Sequence, residues 1–258
     1  MEEKTKKILG LHIGEKKVIL RFEDEKISVH PYTYIEMKLY PGKILNDKDF
    51  KEMKYLDELD DYLNYAKKLL LKNTRSEEYI KDKLSNKGAN QKQIKAVVNT
   101  LKQYHLINDD DYLKELLELY EYKCYGKHKI EEQLKQKGIP LNKIKSLKFS
   151  DSNELKKAKQ LLPQLEKKFV KYNNASKKEH IYAYLLRNGF DGDIAKEVSS
   201  KAKVNDPSQE LKLLKKEYET VSKRYMAKYK YEEVNQKVTE YLLRKGYRYS
   251  DIEKIKGE

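Results

Sequence analysis

Ile181-Tyr182-Ala183-Tyr184-Leu185-Leu186-Arg187-Asn188-Gly189-Phe190 has three counterparts in the same chain. Alignment on Gly88, Gly138, Gly189 and Gly246 gives spacings of 50, 51 and 57 residues. Eight positions before the glycine stand Ile80, Ile130, Ile181 and Val238, and four before it stand Leu84, Leu134, Leu185 and Leu242. One position after it come Ala89, Ile139, Phe190 and Tyr247, and six after it Ile94, Ile144, Ala195 and Ile252. Apolar residues four apart lie on one face of a helix. The glycine that follows suits a left-handed helix end, which costs glycine nothing in sterics. Each copy therefore predicts a helix, a short loop, and a second helix opening at Asn90, near Pro140, at Asp191 or at Ser250.

A third helix precedes each pair. Tyr55, Leu56, Leu59, Tyr62, Leu63, Ala66, Leu69 and Leu70 make one apolar stripe; Tyr112, Leu113, Leu116, Leu119 and Tyr120 make another. A third runs through Leu155, Ala158, Leu161, Leu162 and Leu165, where Pro163 predicts a kink or a late start. Before residue 55 the period is two. Val18, Leu20 and Phe22 share a face, with partner strands at Ile8–Ile13 and Lys26–His30 and turns at Gly14-Glu15-Lys16 and Asp24-Glu25. Three short strands make a sheet too small to stand alone. His30-Pro31 ends it, and Tyr40-Pro41-Gly42-Lys43 is a turn.

The fold class expected is mainly α, with tandem three-helix repeats in an elongated curved array and a small N-terminal β-rich extension. The divisions are 1–54 for the extension and 55–107, 108–150, 151–204 and 205–258 for the repeats.

Composition narrows the function. Of 258 residues, 38% are apolar and 38% charged, and no run approaches the roughly 20 apolar residues of a membrane span. The first residues lead into no apolar stretch of a secretory signal. One cysteine, Cys124, allows no internal disulfide and suits a reducing cytosol, so the expected location is cytoplasmic. The net charge of +14 is uneven: residues 1–60 carry −1, whereas 126–175 carry +8. That excess favours phosphate-bearing or acidic partners.

Tyr125-Gly126-Lys127-His128-Lys129-Ile130 and Leu134-Lys135-Gln136-Lys137-Gly138-Ile139 resemble the most recognisable stretch of the RecX regulators, G-x-x-x-I followed by L-x-x-K-G-I. Arg75 to Gly88 is similar to the opening of that family's first repeat. Leu106-Ile107-Asn108-Asp109-Asp110-Asp111-Tyr112 is similar to its L-x-D-D-x-aromatic junction. Tyr184 to Phe190 and Tyr241 to Tyr247 look like its distal repeats. The likeness covers residues 55–258 and, more loosely, the first 54. The chain departs from the family in carrying lysine where arginine is usual, in Asn188 before the third glycine, and in Asn108 within the junction.

This resemblance implies a cytoplasmic, monomeric, non-enzymatic modulator that lies in the groove of the RecA–DNA filament. It would restrain RecA's ATPase, strand exchange and co-protease activity, with DNA alone bound weakly. The alternative is a stand-alone DNA- or RNA-binding helical module, which would hold naked nucleic acid tightly and lose it steeply with salt.

Lys127, Lys129, Lys135, Lys137, Lys143 and Lys145 are the candidate filament- and DNA-binding residues, opposed within their stretch only by Glu131 and Glu132. Tyr104, Tyr120, Tyr122 and Tyr125 are nearby aromatics whose helical spacing favours packing over base stacking. No metal and no cofactor are expected. His12, His30, His105, His128 and His180 are scattered, Asp109-Asp110-Asp111 reads as the acidic start of a helix, and no phosphate-binding glycine loop occurs. Nothing assembles a nucleophile with a base, so catalysis is not expected.

Overall fold

The computed structural model describes residues 5–256. They divide into two compact units: residues up to Lys114 with Lys137–Ile139, and Glu115–Gln136 with everything from Pro140 onward.

The first unit opens with β1 (Lys6–Lys7), β2 (Gly10–Ile13), β3 (Val18–Arg21) and β4 (Lys26–Val29). The last three form the expected antiparallel meander, pairing Ile13 with Val18 and Val18 with Val29. Val18, Leu20 and Phe22 all point into its core, as the period-2 pattern requires. Two features are additional to the sequence reading. Pro31–Glu36 forms a helical turn, α1, with proline at its start. Beyond Pro41-Gly42 the chain returns as β5 (Ile44–Leu45) to pair with β1. Gly42 has φ +101°, and its N–H donates to the Ile8 carbonyl at 2.7 Å, which brings that strand back.

The division at residue 54 needs correction. Helix α2 runs unbroken from Asp47 to Leu70, started by a reciprocal cap in which Asn46 and Asp49 bond each other's backbone. Its first turns bury Met53 and half-bury Phe50 beside Ile8, Leu20, Phe22 and Leu45. Its later turns place Leu59, Tyr62, Leu63 and Ala66 against the first repeat. The small sheet closes its core on a helix that the repeat also uses, so no linker separates them.

The remaining helices come in trios: α3 (Glu77–Asn86) and α4 (Gln91–Gln103) after α2; α5 (Asp109–Tyr122), α6 (Lys127–Gln136) and α7 (Leu141–Lys145); α8 (Asp151–Lys168), α9 (Asn174–Arg187) and α10 (Gly192–Ser200); α11 (Pro207–Met226), α12 (Tyr231–Arg244) and α13 (Tyr249–Lys256). The eight residues four and eight positions before the aligned glycines are all 0% exposed. The glycines themselves have φ between +76° and +98°. Ala89, Phe190 and Tyr247 each donate N–H back to Leu84, Leu185 and Leu242, closing the helix ends. Helix α8 starts at Asp151 behind the Ser150 cap, not late. Pro163 lies on its exposed face, where water can satisfy the carbonyl freed four residues earlier. The division between the two units passes through α5, not along a repeat boundary.

Candidate functional site

Helix starts expose N–H groups without intrahelical partners. In this chain successive repeats supply those partners by one recurring arrangement. Ser76 Oγ donates to the carbonyl of Lys137 at 2.7 Å, Gly126 N–H to that of Asn188 at 2.8 Å, and Asn173 Nδ2 to that of Lys245 at 2.9 Å. Each donor stands just before the middle helix of one repeat, and each acceptor just before the aligned glycine of the next.

Beside each contact, an acid at or near the start of the following repeat's long helix accepts the first N–H of that same middle helix. Asp109 Oδ1 takes Glu77 N–H at 2.8 Å, Glu154 Oε2 takes Lys127 N–H at 2.8 Å, and Glu210 Oε1 takes Asn174 N–H at 3.1 Å. Negative charge at a helix start is favourable in its own right. The acidic junction thus has a more specific task than opening its own helix. Asn108 bonds the Asp110 N–H at 3.0 Å, while Asp109 reaches across to α3.

These joints explain the fate of the predicted lysines. Lys127 Nζ is 2.5 Å from Asp191 Oδ2, and His128 Nε2 is 2.7 Å from the other oxygen. Lys129 Nζ lies 5.5 Å from the Tyr125 ring centre and donates to the Arg187 carbonyl at 3.5 Å. Both lysines are half-buried in the joint between the second and third repeats; Lys143 on α7 is half-buried as well and makes interactions of its own. Lys135, Lys137 and Lys145 are exposed, Lys137 in the first unit and the other two in the second. Among the tyrosines, Tyr120 and Tyr125 stack on each other at 5.8 Å, Tyr104 lies beneath Lys67, and Tyr122 stands out in solvent.

The Lys127 ammonium, hydrogen-bonded to Asp191, holds that carboxyl below the ordinary aspartate value, with His128 adding to the effect against a smaller opposing push from burial. A depressed folded pKa stabilises above the unfolded value and is lost as pH falls through the folded one. Asp191→Asn is therefore expected to lower the melting temperature near neutrality and to converge with the parent chain as the pH falls below the ordinary aspartate range. A melting difference that stays constant from pH 6 to about pH 2 would remove the ion pair from the account.

His180 stacks on Phe169 and Tyr172, and the Cys124 thiol, pushed up by burial, lies 3.7 Å from Gln160 Oε1. Sequence reasoning missed one grouping. Among the described residues, His30, Asp57 and Asp61 bring potential metal-ligand atoms within 4.8 Å of one another. Separations of 27 and 31 residues follow no ligand motif, so only folding reveals it.

No family model matches the chain. The regulatory protein RecX of Listeria welshimeri is 30% identical over 247 residues, spanning 90% of this chain and 88% of that protein. The chain belongs to the RecX family. RecX of Bacillus velezensis is 28% identical over 244 residues, 92% of each chain. A crystal structure of a regulatory protein RecX superposes with a TM-score of 0.62 at 18% identity, covering 76% of this chain and all of that one. RecX from Lactobacillus salivarius gives 0.50 at 23% identity over 57% of this chain and 97% of its own. These two show a shared RecX fold. The sequence coverage exceeds residues 55–258, so the likeness to RecX proteins reaches into the strand-rich extension. The RecX relatives are named as regulatory proteins. Among the described residues no helix is long and apolar enough to cross a membrane.

Proposed function

We propose that this RecX-family chain regulates RecA by binding along the RecA–DNA filament, and that it restrains RecA's ATP hydrolysis, strand exchange and co-protease activity. The observation that carries the reading is similarity to RecX regulatory proteins over about nine-tenths of the chain, extension and all four repeats together. Charge supports it: most of the net +14 falls in residues 126–175, and Lys135, Lys137 and Lys145 are exposed. In this reading those three lysines meet phosphates or acidic filament walls. Lys127, Lys129 and Lys143 contribute less directly, because a phosphate would compete with Asp191 for Lys127.

The test is RecA-driven ATP hydrolysis on single-stranded DNA, with filament length read in parallel, at substoichiometric chain. Slower hydrolysis and shorter filaments are expected; folded chain that changes neither would refute the proposal. Lys135→Glu, Lys137→Glu and Lys145→Glu together are expected to weaken filament binding at least about tenfold and to flatten its salt dependence by up to about three phosphates' worth, with helicity unchanged. Binding to naked DNA as tight as to the filament would favour the stand-alone nucleic-acid module instead.

A further inference from the structure

We propose that His30, Asp57 and Asp61 form a site for one divalent transition-metal ion of the zinc class, clipping the strand-rich extension to helix α2.

His30 follows β4 and opens α1, where it is nearly buried. Asp57 and Asp61 are four residues apart on α2, which places both carboxylates on the helix face turned to it. His30 Nε2 is 2.8 Å from Asp61 Oδ1, and Asp57 Oδ1 accepts the His30 backbone N–H at 2.5 Å, which fixes that carboxylate beside the ring. Zinc bonds nitrogen and oxygen at about 2.0–2.2 Å, so tetrahedral ligand atoms stand roughly 3.3 Å apart. Three ligand atoms within 4.8 Å need only side-chain rotation to reach that spacing.

The outer partner is also present. Nδ1 of His30 is 3.0 Å from Asp60 Oδ2, and Asn64 Nδ2 donates to that same oxygen at 2.9 Å. A carboxylate behind a ligating histidine fixes its tautomer with Nε2 free for metal and strengthens it as a donor. Charge points the same way. Asp57, Glu58, Asp60 and Asp61 face no lysine or arginine in an ion pair among the described residues, although the chain as a whole carries +14. The imidazole of His30 lies between Asp60 and Asp61, and Lys54 lines the same cleft without an ion pair to these acids among the described residues.

Access is open. Asp57 and Asp61 line a cleft of about 440 Å³ with Ile27, Val29, Phe50 and Met53, and the Asp61 side chain is 56% exposed. Water entering there supplies the remaining coordination positions. One imidazole nitrogen with two carboxylate oxygens suits zinc, whereas magnesium prefers oxygen alone.

The test is calorimetric titration of the full chain with Zn²⁺ alone near pH 7, with thermal melting in parallel. One ion per chain at micromolar or tighter affinity, proton release and a raised melting temperature are expected, with no comparable response to Mg²⁺. Asp61→Asn and Asp57→Asn, which keep side-chain size, should each weaken binding at least tenfold. Asp60→Asn should weaken it by roughly ten- to a hundredfold while leaving one ion per chain. Absence of binding by the parent chain overturns the proposal. So does Zn²⁺ affinity unchanged in the folded Asp57→Asn/Asp61→Asn double variant, which would place the ion at other histidines or Cys124.

Discussion

Alanine at Gly189 is expected to cost this RecX-family chain about 3–4 kcal/mol, whereas alanine at Gly88 costs only about 1 kcal/mol. The two glycines end equivalent helices with φ of +86° and +98°, so the left-handed penalty is common to both. Their surroundings differ. A Cβ on Gly189 would stand 2.2 Å from the Lys129 backbone nitrogen and 2.6 Å from its Cβ, while one on Gly88 meets only the Tyr62 hydroxyl at 3.9 Å. Backbone cannot step aside as a side chain can, so the whole joint between second and third repeats must open. The partner position behaves alike: a Cβ on Gly126 would lie 2.3–2.4 Å from the Gly189 carbonyl and Phe190 nitrogen. Thermal unfolding followed by circular dichroism reads the difference, with a melting decrease of about 10 °C for Gly189→Ala and about 3 °C for Gly88→Ala. Equal losses at the two sites would mean that only backbone conformation matters and that the close approach is absent.

Removing the Glu154 carboxylate is expected to be as severe, about 3–5 kcal/mol for Glu154→Ala. Glu154 and Lys157 are 2% and 4% exposed at their side chains and 2.5 Å apart. Lys157 also reaches the Tyr125 carbonyl at 2.9 Å and Glu121 at 3.3 Å, and Glu154 holds the first N–H of α6. Truncating the acid strands a buried ammonium beside a partly solvated carboxylate and uncovers a helix start. Replacing both charges by Glu154→Gln with Lys157→Met should cost only about 1 kcal/mol, because the amide oxygen still accepts from Lys127 and no charge is left without a partner. Urea unfolding of both single variants and the double variant measures the coupling. A Glu154→Ala loss below about 1 kcal/mol would show that water reaches the pair and that the joint does not depend on it.

Both predictions rest on joints that periodicity could only hint at. The glycine alignment was visible because each copy repeats the same helix-ending chemistry in one continuous stretch. The reason three of those glycines tolerate nothing larger was not visible, because their neighbours come from another repeat. Gly88, which meets no preceding repeat, shows that identical motifs can carry different constraints. The candidate site divides in the same way. A run of lysines was evident in the chain, yet Lys127 and Lys129 face inward to Asp191 and Arg187 while Lys135, Lys137 and Lys145 face water. Charge counting sees composition and cannot see which ammonium already has an acid beside it. His30, Asp57 and Asp61 left no trace in spacing at all.

By itself the amino-acid sequence determined the period-2 sheet, the helix periods, the helix-ending glycines, the fourfold repeat and the uneven charge. Each of these is set by backbone preference and side-chain polarity over a few neighbouring residues. Only the tertiary structure decided that α2 serves the sheet and the first repeat alike, that Asp109, Glu154 and Glu210 cap helices other than their own, and that half of the candidate lysines are built into or beside packed surfaces. Those outcomes depend on which polar groups meet once apolar faces have closed, and partners 27 to 72 residues apart have no local signature.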